Sequence, residues 1–108
     1  MSGLRLGVLV SGGGTNLQSV IDAIEAGALK SQIVCVISNK EAAYGLERAR
    51  KHKIPAYFIN PKEESYDEKL LTRLKEEEVD LVVLAGYLKI LNQELIKAYE
   101  RRIINIHP

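Results

Sequence analysis

Apolar residues along this chain alternate between two patterns: short continuous runs, and stretches in which they recur every three or four positions. The run "LRLGVLV" (Leu4 to Val10) reads as a strand buried on both faces, and it gives way to "SGGGTN". In "LQSVIDAIEAG", Leu17, Val20, Ile21 and Ile24 recur at helical spacing, and Gly27 is placed to end the helix. A second strand follows in "QIVCVIS" (Gln32 to Ser38). "AAYGLERARKHK" then predicts a second helix with Ala43, Leu46 and Ala49 inward, stopped by Pro55. "AYFI" (Ala56 to Ile59) is a short third strand. "SYDEKLLTRLKEEE" predicts a third helix with Tyr66, Leu70 and Leu74 inward, opened by a Ser65/Glu68 capping box. "DLVVLAGY" gives a fourth strand, "NQELIKAYE" a fourth helix capped by Asn92, and "RIINIH" a fifth strand. Strands alternating with helices over short loops predict an α/β fold. The expected form is a Rossmann-like, doubly wound parallel sheet of about five strands with helices on both faces, in one domain over residues 1–108.

Composition narrows the function more than the fold. With 46% hydrophobic residues in 108, the chain can form one real core. Its 15 Lys plus Arg against 14 Asp plus Glu leave a formal charge of +1, too small to gather nucleic acid or an anionic membrane. Any anion site must be local. No run approaches the ~18 apolar residues that cross a bilayer, and no signal-peptide layout opens the chain, so a cytoplasmic setting is expected. Cys35 lies inside "IVCVI" and is expected to pack as a small hydrophobe, while the acidic run Glu76 to Glu78 is expected to be a solvated face. The five tyrosines read as partly buried core aromatics, with Tyr87 in the rim segment the expected exception, and His52 as a partner of a helix dipole. Two distant histidines and one cysteine provide no metal-ligand spacing.

Candidate chemistry sits at the strand ends. In a doubly wound sheet the first strand-to-helix turn is the usual phosphate cradle, and "SGGGTN" occupies it. Glycines let backbone amides approach an anion, and the helix start adds unpaired N–H groups, so Gly12, Gly13, Gly14, Thr15 and Asn16 are candidate phosphate ligands. A dinucleotide fingerprint fails because its third glycine position is Leu17 and the second strand ends in Ser38-Asn39-Lys40. The Walker pattern fails for want of Gly-Lys-Ser/Thr. A small phosphomonoester fits better than a nucleotide polyphosphate. "AGYLKIL" and "NIHP" follow the fourth and fifth strands and reach the same rim. Residues two apart on a strand share a face, which pairs Asn105 with His107 as a carbonyl-polarising amide and a proton-handling imidazole. A noncatalytic module holding a flavin or sugar phosphate at the same loop is the competing reading.

These motifs, "VSGGGTNLQ", "SNKEAAYGLERAR", "VVLAGYLKIL" and "NIHP" in that order, carry a resemblance over the whole chain. It resembles the N-terminal half of the phosphoribosylglycinamide formyltransferases, folate-dependent enzymes of purine biosynthesis. The resemblance implies transfer of a formyl group from 10-formyltetrahydrofolate to glycinamide ribonucleotide, without a metal. It implies that the glycine loop holds the substrate phosphate and that Leu88, Lys89, Ile90 and Leu91 line a folate pocket. Lys62 stands near a position where the family often has a folate-contacting arginine. Asn105 and His107 match the family's catalytic Asn and His. The formyltetrahydrofolate deformylases and methionyl-tRNA formyltransferases share parts of this core, and the phosphate loop separates them. The family's C-terminal half, with its catalytic aspartate, does not follow Pro108. This implies weak or absent catalysis by the chain alone, and an edge strand that invites self-association or a complementary C-terminal half.

Overall fold

The computed structural model describes residues 3–106. Nine elements alternate without exception: β1 (Arg5–Val10), α1 (Thr15–Glu25), β2 (Gln32–Ser38), α2 (Tyr44–Lys51), β3 (Ala56–Phe58), α3 (Tyr66–Glu76), β4 (Leu81–Ala85), α4 (Gln93–Ala98) and β5 (Ile103–Ile106). All strand pairs are parallel, in the order β3-β2-β1-β4-β5. The chain winds outward from β1 through β2 to β3, then crosses back to build β4 and β5 on the other side. The reversal lies between β1 and β4, and it opens a crevice at their carboxyl ends.

Each face of the sheet carries its own core. Leu6, Val8 and Val10 of β1 pack with Leu17, Val20 and Ile21 of α1 and with Leu46 and Ala49 of α2. Leu9, Cys35 and Ile37 face the other way, toward Tyr66, Leu70 and Leu74 of α3 and Leu95 of α4. Full burial of a leucine or isoleucine contributes roughly 1.5–3 kcal/mol, so the inward stripe of each helix is what fixes it to the sheet. The period-two alternation breaks once. The β1/β2 register shifts between Leu6 and Gly7, and the extra residue turns both Val34 and Cys35 to the α3/α4 face.

Helix ends follow the expected chemistry in part. Gly27 takes φ +80° just past α1, and the Asn92 side chain accepts a hydrogen bond from the Leu95 amide at 3.1 Å to cap α4. Ser65 makes no such bond. Its backbone is already near-helical (φ −86°, ψ 13°), because the chain enters α3 from a turn in which the Tyr66 amide bonds the Glu63 carbonyl. The expected capping box is therefore absent. Helix α2 is also shorter than its sequence pattern, since Lys40 to Ala43 form a turn. Tyr44 opens α2 on its outer face, exposed, with Arg48 and Lys51 over its ring. Of the acidic run, Glu77 is packed rather than free, accepting a hydrogen bond from the Tyr57 hydroxyl at 2.8 Å. Strand β5 forms one edge of the described sheet, with Ile104 exposed. No helix is long and apolar enough to cross a membrane among the described residues.

Candidate functional site

The crevice is organised by a residue that the sequence pattern does not single out. Ser11, the first residue after β1, is buried, and its amide donates to the Gly86 carbonyl at 3.2 Å. Its hydroxyl donates to Asn39 Oδ1 at 2.7 Å and accepts from the Leu88 amide at 2.8 Å. One side chain thus fastens together the segments that follow β1, β2 and β4. The cue lay in small polar residues at the carboxyl ends of two buried strands, where a polar atom out of water needs a partner.

Beyond Ser11 the glycine loop is held from behind. The Gly12 carbonyl accepts from the Gly45 amide at 3.0 Å, the Gly13 carbonyl from Arg48 Nε at 2.6 Å, and the Gly14 carbonyl from the Gln18 amide at 2.8 Å. Gly14 has φ +77°, and a Cβ there would sit 2.7 Å from the Cα of Gly45. The two glycines let α1 and α2 meet without side chains between them. In sequence Gly45 looks like a flaw in a helix; in the fold it is what the loop rests against. A Cβ on Gly12 or Gly13 would meet nothing within 4 Å, so the loop's outer side is open. Among the described residues, no backbone amide from Gly12 to Leu17 donates a hydrogen bond, and Gly14 receives no side-chain cap. Unpaired amides at a helix start form an anion-binding surface.

The remaining candidates lie around this loop. Asn16 Nδ2 approaches the Ile106 carbonyl at 3.4 Å, joining the start of α1 to the end of β5. Asn105, exposed, pairs in register with Leu84 of β4. His107 lies outside the described residues. After β4, Gly86 turns with φ +73°, and the loop 86–91 is pinned by Ser11 at Leu88 and by a hydrogen bond between the Tyr87 and Tyr66 hydroxyls. Burial, more than this bond, raises the Tyr87 hydroxyl above the ordinary phenol range; burial raises Tyr66 as well, so both stay neutral. Lys89 sits over the Tyr66 ring at 5.1 Å. Leu88 and Ile90 are 79% and 90% exposed, an apolar pair facing solvent, whereas Leu91 packs on the core. Because Ser11 already occupies the Leu88 amide, a pterin ring would have to pair with other backbone groups of the loop. Lys62 is exposed in the turn before α3, its amide held by Asn60 Oδ1 at 3.0 Å, and it shares no hydrogen bond with the 86–91 loop.

A groove of about 450 Å³ lies between β3 and α3, and another of about 510 Å³ lies at the opposite, amino-terminal end of the sheet. Neither contains the glycine loop or Asn105 of β5. No cluster of three metal-ligating side chains occurs among the described residues. Cys35 is buried, and burial pushes its thiol up to about 12, which makes it inert packing. His52 departs from the simple dipole reading: its Nδ1 lies 2.8 Å from Glu25 Oε2, linking the ends of α2 and α1 far from the rim.

Comparison with known proteins places this geometry. The chain is 44% identical, over 108 residues, to the phosphoribosylglycinamide formyltransferase of Haemophilus influenzae, covering 96% of this chain and 51% of that protein. The crystal structure of glycinamide ribonucleotide transformylase 1 from Symbiobacterium toebii matches with a TM-score of 0.91 at 41% identity, over 97% of this chain and 51% of that one. A formyltetrahydrofolate deformylase from Pseudomonas putida matches with a TM-score of 0.85 at 31% identity, over 96% of this chain and 38% of that one. The chain thus spans about half the length of the bacterial formyltransferases it matches. The formyl transferase profile runs through residues 4–108, from the first strand through the glycine loop to "NIHP", and the chain belongs to that family.

Proposed function

We propose that this chain is the N-terminal, phosphate-binding half of a phosphoribosylglycinamide formyltransferase, working in the cytoplasm on glycinamide ribonucleotide with 10-formyltetrahydrofolate as formyl donor. The observation that carries the reading is the glycine loop, whose carbonyls are all tied inward while its amides are open, set beside the end of β5 through Asn16 and Ile106. A dianionic phosphomonoester on those amides would anchor the substrate with its amine end free to reach β5. The deformylase reading gives that loop no anion to hold.

The residues suggest a division of labour. The glycinamide amine attacks the formyl carbon, the carbonyl π pair moves to oxygen, and a tetrahedral intermediate forms. The Asn105 amide would donate to that oxyanion, and His107 would handle the proton that leaves the attacking nitrogen and must reach N10 of the folate as the C–N10 bond breaks. Leu88 and Ile90 offer the pterin an apolar surface, and Lys62 is assigned a peripheral folate contact. No step calls for a metal. A complementary C-terminal half would complete the folate side.

The test is complementation. The chain, mixed with the C-terminal half of a relative, is assayed for formyl transfer, and binding of glycinamide ribonucleotide is measured by calorimetry. Asn105→Ala and His107→Ala are expected to remove most of the turnover and leave binding intact. Turnover indifferent to both changes would refute the catalytic assignment, and failure of the unaltered chain to bind the ribonucleotide would refute the phosphate assignment.

A further inference from the structure

We infer that Arg48, on α2, is a positioning residue for anion binding by the glycine loop, acting through the Gly13 peptide rather than by touching the ligand. The inference rests on the phosphate reading above and adds a residue on a separate helix. Arg48 Nε donates to the Gly13 carbonyl at 2.6 Å, and its Nη1 donates to Gln18 Oε1 at 3.2 Å. Its guanidinium also stacks 5.0 Å from the Tyr44 ring centroid, so the planar group is held on three sides.

The consequence follows from peptide geometry. The chain has no cis peptide bonds among its described residues, and in a trans peptide the C=O and the next N–H point in opposite directions. Tying the Gly13 carbonyl back toward α2 therefore aims the Gly14 N–H outward. The Gly12 carbonyl, tied to the Gly45 amide, does the same for the Gly13 N–H, and the Gly14 carbonyl, tied to the Gln18 amide, for the Thr15 N–H. Of these three ties, the first alone depends on a side chain. It is also the only one in which the donor carries a full charge. A cation on the carbonyl polarises its peptide and strengthens the N–H on the far side as a donor. Glycine at 13 has no side chain to restrict rotation of its peptide planes, so without Arg48 the 13–14 peptide is free to turn over.

Ribose 5-phosphate is the probe, titrated into the 108-residue chain and its variants by calorimetry and by amide NMR. The unaltered chain is expected to bind and to shift the Gly13, Gly14 and Thr15 amides. Arg48→Met should weaken binding about tenfold, the loss of one charge-assisted hydrogen bond. The Gly14 amide signal should move in the free protein, with thermal stability and the remaining spectrum close to the parent. Arg48→Lys keeps the charge but cannot fork between Gly13 and Gln18, and should fall between the two. Binding by Arg48→Met within twofold of the parent, or an unmoved Gly14 amide, overturns the inference and leaves the phosphate reading standing. No binding by the unaltered chain overturns both. Loss of the native spectrum in both variants also overturns it, because Arg48 would then be a folding determinant.

Discussion

Replacing Ser11 by alanine tests how the crevice is held together. The change deletes one buried hydroxyl and two hydrogen bonds, of 2.7 Å to Asn39 Oδ1 and 2.8 Å to the Leu88 amide. Asn39 is only 9% exposed, so its carbonyl oxygen is left without water, at a cost of about 1–3 kcal/mol. The Leu88 amide lies at an exposed turn and recovers part of its loss from solvent, at a cost below about 1 kcal/mol. The sum, about 1–4 kcal/mol, is a large share of the ~5–15 kcal/mol that holds a domain folded. At ~4–8 °C per kcal/mol for a domain near this size, the melting temperature should drop by roughly 4–30 °C. Urea unfolding followed by circular dichroism gives the free energy, and hydrogen exchange gives the location. Exchange at Leu88 should accelerate beyond what the global destabilisation accounts for. A stability change under about 0.5 kcal/mol, with Leu88 protection unaltered, would refute the view that Ser11 fastens three strand ends.

The glycines of the loop should separate by role. Gly12→Ala and Gly13→Ala meet open space and should change stability by less than about 0.5 kcal/mol while weakening ribose 5-phosphate binding. Gly14→Ala faces both positive φ and the Gly45 backbone and should cost about 2–4 kcal/mol in urea. Asn92→Ala removes the α4 cap and should cost about 1 kcal/mol, with amide exchange faster at Leu95. Cys35 should resist iodoacetamide at pH 8 in the folded chain and react on unfolding. Its folded thiol titrates near 12 against 9.0 for an ordinary one, so between those values the unfolded state has lost a proton that the folded state keeps. Its contribution to stability is thus full below pH 9 and decays by roughly 1 kcal/mol per pH unit up to about 12, measurable as a falling urea midpoint once other alkaline titrations are matched in Cys35→Ala.

The strand and helix alternation and the two-sided core were legible because burial on both faces writes continuous apolar runs, and burial on one face writes Leu70 and Leu74 four apart. The Asn92 cap was legible because it depends on neighbours in the chain. What escaped depends on distance. Ser11 and Asn39 are 28 residues apart, and Glu25 and His52 are 27 apart, so no local pattern announces either pair. Ser65 had the right neighbours for a cap, but the turn before it set the backbone first. At the rim, the glycine loop stood out by composition, whereas two of the groups that tether it, Gly45 and Arg48, sit on α2 and come into view only when the chain folds back.

The contact of Gly14 with Gly45 bears on how a ligand would be received. A loop of three glycines is ordinarily a floppy segment, and gripping it would forfeit roughly 1–2 kcal/mol of backbone entropy per residue. Here that entropy is already gone, surrendered when α2 docked, so an arriving anion would find its amides in place and bind with little reorganisation. By linkage, the same ligand would reinforce the docking: occupancy of the loop should slow the opening of α2, and a loosening of α2 anywhere along its length should be felt as weaker binding.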